Sequence, residues 1–168
     1  MQKEDAITLL KHDHAAVKKM FAREKEVTKQ NGEKVHIFNE IKAALEVHAI
    51  IEEDIFYPAV KKARSEAVKD EVREGYEEHK QIKTLLAQIA SITPSDETYA
   101  MKIKVLMEDV EHHVKDEEGE MFPDAKKFLG EVRLLELGVE LAARKQQLEK
   151  QSAAAKPASA TSSAHAAK

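Results

Sequence analysis

The sequence predicts an all-α protein: an up-down-up-down four-helix bundle, followed by a short extra helix and a disordered tail. Three observations lead there. Four long amphipathic stretches follow one another along the chain. Charged residues make up 35% of the 168 residues and aromatics 5%, with five Gly and no Trp, a balance of long solvated faces that argues against sandwiches and barrels. An offset of 65 residues relates the first two stretches to the next two. The roughly 150 residues before the tail are the usual size of one domain.

The first helix is expected from Glu4 to Lys29, stopped by Gln30-Asn31-Gly32. The second runs from Glu33 to Lys62, with Pro58 placed to kink it or end it early. Ser65 offers a cap for the third, which runs to Ser91. Thr93-Pro94 reads as N-cap and first helical residue of the fourth, which continues to Phe128 with Pro123 placed as Pro58 is. After Gly130 a shorter amphipathic segment carries Val132, Leu135, Leu137, Leu141 and Leu148. From Gln151 the chain is Ala, Ser, Lys and Pro, with nothing to bury. The expected organisation is thus a bundle over residues 1–130, a helix over 131–150 and a disordered tail over 151–168.

Each helix has an apolar stripe at alternating steps of three and four, and each stripe is interrupted by polar residues. The first is Ile7, Leu10, His14, Val17, Phe21. The second is Phe38, Ile41, Leu45, His48, Glu52, Ile55, Ala59. The third is Val72, Tyr76, His79, Ile82, Leu86, Ile89, and the fourth is Tyr99, Ile103, Leu106, Val110, His113, Glu117, Met121. His14 pairs with His79 at the 65-residue offset, His48 with His113, Glu52 with Glu117, and Pro58 with Pro123. His12, His36, His112 and His165 have no histidine at that offset. Residue counts from each paired histidine to its neighbouring turn match to within roughly one turn, so all four arrive at a similar level, pointing inward. Glu52, four residues after His48, shares its face; Glu53, about 140° round, is expected to face solvent. His112 with Asp116 has the same spacing as His113 with Glu117, but the repeat and the stripe favour the latter pair.

Buried carboxylates without partners cost several kcal/mol each or give up their charge. A buried His–Glu network is one way to satisfy these six residues, but metal ions satisfy all of them at once. Four His and two Glu exceed the needs of one tetrahedral zinc, and the repeat suggests two ions. Mixed imidazole and carboxylate donors suit iron, with manganese or zinc as alternatives. Six donors leave positions open in two octahedral shells, where dioxygen, peroxide or nitric oxide would bind.

The pattern His14 … His48-Ala-Ile-Ile-Glu52 … His79 … His113-Val-Lys-Asp-Glu117 is joined by Phe-Tyr-Pro58 and Met-Phe-Pro123. It resembles the hemerythrin-like HHE cation-binding family over residues 6–128. The resemblance implies a four-helix bundle holding two iron ions in a non-heme centre, often with an oxo or hydroxo bridge. It makes His14, His48, His79 and His113 terminal ligands, and Glu52 and Glu117 bridging or terminal carboxylates. Oxygen-carrying members have a second histidine where Lys83 stands here, and an aspartate where Glu118 stands. That departure points away from reversible oxygen transport and towards sensing or detoxifying oxygen, nitric oxide or peroxide, or iron homeostasis. Two functions compete: a di-iron protein turning over a small oxidant, by peroxide disproportionation or nitric oxide handling, and a non-catalytic iron or oxygen sensor or reservoir.

The remaining features exclude other classes. The net charge is −4, and the last 18 residues carry two Lys and no acid, which leaves residues 1–150 at −6. Such a surface has no general affinity for nucleic acid or anionic membrane. Zero cysteines exclude disulfides, thiolate metal sites and cysteine nucleophiles. No apolar run approaches membrane length and the N-terminus is too acidic for a signal peptide, so a cytoplasmic location is expected. Lys18 and Lys83 read as snorkelling lysines, Tyr76 as a core tyrosine, and Glu120 as a solvated acid.

Overall fold

The computed structural model describes residues 4–27, 31–62 and 65–155. No strand occurs among the described residues. Helix α1 spans Ala6–Glu26 and α2 spans Asn31–Ile51; a five-residue π-turn, Glu52–Phe56, leads into the short α3, Tyr57–Val60. Helix α4 spans Glu66–Ala90 and α5 spans Glu97–Asp116; a second π-turn, Glu117–Met121, leads into α6, Phe122–Ala155. Helices α1, α2, α4 and α5 form the four-helix bundle that the periodicity predicts.

Local chemistry sets the helix ends. Asp5 caps α1, its Oδ1 accepting from Ile7 N and Thr8 N at 3.0 and 3.1 Å. Helix α5 starts later than Thr93-Pro94 suggests. The Thr93 carbonyl instead accepts from Asp96 N at 2.9 Å, which makes Pro94 the second residue of a turn. Asp96 is the cap, its Oδ1 accepting from Thr98 N at 2.8 Å. Ser65 does occupy the cap position of α4, but its side chain makes no capping bond. Asn31 and Gly32 open α2 rather than ending α1; Gln30, the first residue of the expected stop, lies outside the described residues.

Both prolines stand two residues after the end of a π-turn. A proline has no N–H to donate and its ring collides with the carbonyl four residues back. In both halves the helix widens just ahead of the proline: Tyr57 N donates to Glu52 O, and Phe122 N to Glu117 O, each five residues back. The widened turns begin at the two glutamates that interrupt the stripes.

The core is two apolar clusters with a polar layer between them. One contains Val17, Phe21, Phe38, Ile41, Leu86 and Leu106. The other contains Leu10, Ile51, Phe56, Tyr57, Phe122 and three leucines of α6, namely Leu134, Leu137 and Leu141. Helix α6 packs along α1 and α2. It is broken at Gly130, whose φ of 74° and ψ of 166° lie outside helical space and favour glycine. Two apolar stripes run along it. Leu134, Leu137 and Leu141 face inward, whereas Val132 and Leu135 are exposed, Val132 by 75%. Residues 151–155, placed by the sequence in the disordered tail, continue α6, and residues 156–168 lie outside the described residues. No helix among the described residues is long and apolar enough to cross a membrane.

Gly138 is the point of closest approach between α6 and the start of α1. A Cβ there would collide with the Glu4 carbonyl oxygen and sit 3.0 Å from Ala6 N. Gly138→Ala is therefore expected to destabilise the protein by about 1–3 kcal/mol. Gly119→Ala, where nothing lies within 4 Å, should be neutral or stabilising by a few tenths. Equilibrium urea unfolding of both variants checks the contrast.

Candidate metal centre

The structure brings all six candidate residues together in the polar layer. His14 comes from α1, His48 from α2, His79 from α4 and His113 from α5, with Glu52 and Glu117 at the first positions of the two π-turns. All six are buried. The His14 and His48 Nε2 atoms lie 3.1 Å apart, and so do those of His79 and His113. Glu52 spans the two pairs: its Oε1 is 3.2 Å from His48 Nε2 and its Oε2 is 3.2 Å from His79 Nε2. Glu117 Oε2 lies 3.2 Å from His14 Nε2 and 3.4 Å from His113 Nε2.

These oxygens are close to nitrogen yet unpaired. Glu52 Oε1, Glu52 Oε2 and Glu117 Oε2 are buried and have no hydrogen-bond partner. Orphaned buried carboxylate oxygens are rare and costly. Here the donor atoms of His14, His48, Glu52 and Glu117 converge within 4.8 Å, as do those of Glu52, His79 and His113. The residues therefore fit a pair of cations: two imidazoles on each side, and a carboxylate with one oxygen towards each side.

Behind the imidazoles stands an outer ring of four carboxylates. His14 Nδ1 is 2.9 Å from Glu118 Oε1, and His79 Nδ1 is 2.9 Å from Glu53 Oε1. His113 Nδ1 is 2.8 Å from Glu78 Oε2, and His48 Nδ1 is 3.4 Å from Asp13 Oδ2. Such contacts fix the ring and leave Nε2 free to point inward as a donor atom. This corrects the expectation that Glu53 faces solvent: it sits on the flank of the π-turn and reaches across to α4. Lys83, whose Nζ is 2.7 Å from Glu53 Oε1, holds that carboxylate in turn. Tyr76 donates to the Glu53 carbonyl at 3.3 Å, and Lys18 is exposed. The ring obeys the repeat, Asp13 with Glu78 and Glu53 with Glu118, so an acid directly before His14 and before His79 is a readable signal.

The repeat fails at a buried pair beside the imidazoles. Tyr57 and Phe122 are offset partners; Tyr57 stacks on His79 with centroids 5.4 Å apart, and Phe122 stacks on His14 at 5.8 Å. Only Tyr57 has a hydroxyl, which donates to Glu117 Oε1 at 2.7 Å. Gly75 makes room for it, since a Cβ there would lie 2.7 Å from Tyr57 Oη; the offset partner of Gly75 is Leu10.

The electrostatics follow from this crowding. Burial alone would push the His48 imidazole down, but the Glu52 charge and the bond to Asp13 outweigh it and raise it to about 10. Burial likewise opposes charge on His113, and Glu117 with Glu78 raises it. Burial works against the Glu52 carboxylate, yet His48 and His79 hold it well below the usual range. Burial and the charges of Glu52 and Glu117 push the Tyr57 hydroxyl well above its ordinary value, so it keeps its proton.

A helical bundle whose polar layer gathers imidazoles and carboxylates defines a cation-binding protein. The hemerythrin HHE cation-binding domain matches residues 5–125, and the chain belongs to that family. A DNA nickase of Nostoc sp. is 30% identical over 112 residues, which is 67% of this chain and 31% of that protein, so the chain spans about a third of the nickase's length. An uncharacterized protein of Mycobacterium tuberculosis is 28% identical over 145 residues, 86% of this chain and 87% of that one. The crystal structure of a hemerythrin HHE cation-binding domain-containing protein from Mycobacterium kansasii superposes with a TM-score of 0.80 at 25% identity, over 90% of this chain and 91% of that one.

Asp13→Ala and Glu78→Ala should each weaken metal retention by about 10- to 100-fold through loss of imidazole orientation, read by competition with a metal-binding dye. Glu111→Ala, an exposed site on α5, is expected to leave retention unchanged.

Proposed function

We propose that this chain is a non-heme di-iron protein that binds or reacts with a small oxidant: dioxygen, peroxide or nitric oxide. The observation that carries this reading is Glu52, whose two unpaired oxygens face two different histidine pairs. One carboxylate turned both ways suits two cations side by side. His14, His48 and Glu52 with Glu117 would hold one, and His79 and His113 with the same carboxylates the other. Iron in such a place supplies one-electron redox change at each of two centres.

The chain's own residues do the rest. Asp13, Glu53, Glu78 and Glu118 orient the imidazoles. The two apolar clusters keep bulk water from the layer, which strengthens every charge interaction within it. Tyr57 Oη carries a proton, 2.7 Å from Glu117 Oε1 and 3.4 Å from His79 Nε2, on one side of the centre only. Six protein donors would not by themselves saturate two iron ions, so a small ligand could bind there. DNA cleavage is not carried over from the Nostoc relative: the match covers 31% of that protein, and the cleft over Glu117 is lined with carboxylates that repel phosphate.

Elemental analysis of protein prepared without chelators is expected to give roughly two irons per chain, falling sharply in His48→Ala and His113→Ala. Hydrogen peroxide should then be consumed for many turnovers; stoichiometric consumption alone would favour the sensor or reservoir. A folded chain that neither carries nor takes up iron would overturn the reading. Two zincs would keep the site and remove its redox chemistry.

A further inference from the structure

The two halves of the bundle agree inside and disagree outside. Ala6, Leu9, Val47, Ile51 and Ile55 in the first half stand at the 65-residue offset from Glu71, Glu74, His112, Asp116 and Glu120 in the second. Every position is apolar in one half and ionisable in the other. On the first half, Ala6, Leu9 and Ile51 are buried in the cluster that includes Leu134, Leu137 and Leu141 of α6, with Ile55 packed against it. The equivalent face of α4 and α5 keeps its opening.

A small cavity occupies that opening. Glu71, Glu74, Glu78, Asp116 and Glu120 line it, and Glu117 of the metal centre forms part of its wall. Its volume of about 20 Å³ is enough for one water-sized occupant. Glu117 is 1% exposed and its Oε2 has no hydrogen-bond partner. Glu71 Oε2 is also buried without a partner. Among the described residues, none of the five outer carboxylates pairs with a lysine or arginine.

At the outer end stands a group with the make-up of a cation site. Donor atoms of Glu78, His112 and Asp116 lie within 4.8 Å of one another. His112 Nε2 is 3.4 Å from Asp116 Oδ2 and 3.8 Å from Glu78 Oε1, and the ring is exposed. The second oxygen of Glu78 already holds His113 Nδ1 at 2.8 Å. One carboxylate thus touches both the outer group and the buried centre.

We propose that this cleft is the loading route of the centre: a divalent transition-metal cation binds first at Glu78, His112 and Asp116 and passes Glu117 into the buried layer, while α6 seals the symmetry-related route. The proposal rests on the reading that the centre holds metal. Attraction by a like-charged cleft raises the capture rate of an oppositely charged ion by tenfold or more and weakens with salt. A route for cations predicts a rate effect, whereas a residue that holds the bound metal would alter the final content.

The test follows ferrous uptake by the full metal-free chain under anaerobic conditions, by rapid desalting and elemental analysis. The variants are Glu74→Gln/Glu120→Gln, both exposed, and His112→Ala; Glu97→Gln/Glu108→Gln carries the same charge change elsewhere on the surface. The expected result is a final metal content and melting temperature equal to the parent's. Initial uptake should be about five- to tenfold slower in the two cleft variants at low ionic strength; 0.5 M salt should close the gap for the carboxylate variant, whereas His112→Ala, which loses a donor atom and no negative charge, should stay slow, and the control should load at the parent rate. Cleft variants that load as fast as a parent which does fill would overturn the route and leave the metal centre standing. Reduced final content at an unchanged rate would also overturn it, by making these residues part of the holding site. A parent that takes up no iron would overturn the function on which the route depends.

Discussion

Everything in this fold is arranged around the cost of burying charge. Two glutamates and four histidines at one level of a bundle are prohibitive unless their atoms are matched, since an unpaired buried carboxylate costs several kcal/mol. The chain meets that cost with a layered solution: apolar side chains above, apolar side chains below, and between them a sheet of donors backed by further carboxylates. The outer carboxylates face the Nδ1 atoms, which leaves three inner oxygens unpaired and pointing at common centres. A layer built only for stability would have paired those oxygens with hydroxyl or amide donors.

The π-turns are what make the two-tier arrangement affordable in sequence space. Consecutive glutamates, Glu52-Glu53 and Glu117-Glu118, serve different tiers: the first of each pair points into the layer and the second reaches the imidazole of a neighbouring helix. In a regular α-helix, neighbours in sequence diverge by about 100°. The widened turn, set by the proline that follows it, keeps both within the same side of the bundle. One proline per half thus positions two carboxylates.

The helices and the six inner residues were legible because both rest on period and repeat. Steps of three and four mark which face is inward, and an exact offset of 65 residues separates four histidines from eight. The outer ring was harder. Reading Glu53 on an ideal α-helix puts it outside, and only the π-turn and the contact with α4 reveal its role. The buried face of α6 is not legible in the sequence because two apolar stripes share one helix; contact with α1 and α2 decides between Leu134 and its neighbour Leu135. The start of α5 was misplaced because Thr93-Pro94 and Asp96 both carry capping chemistry, and the carboxylate two residues before Thr98 won. The exchange of Leu10 and Phe122 for Gly75 and Tyr57 shows in the aligned halves, but its meaning needs the distance between Gly75 and the tyrosine hydroxyl.

The docking of α6 against Glu4, Asp5 and Ala6 at Gly138 joins helices far apart in sequence, the first and the last among the described residues. During synthesis α1 emerges first and α6 last, at about 5–20 residues per second. For the several seconds between, Ala6, Leu9, Leu10 and Ile51 have no cover, and the nascent chain presents a sticky apolar strip. Covering that strip therefore waits on the synthesis of α6, and the interval before it exposes nascent copies to aggregation.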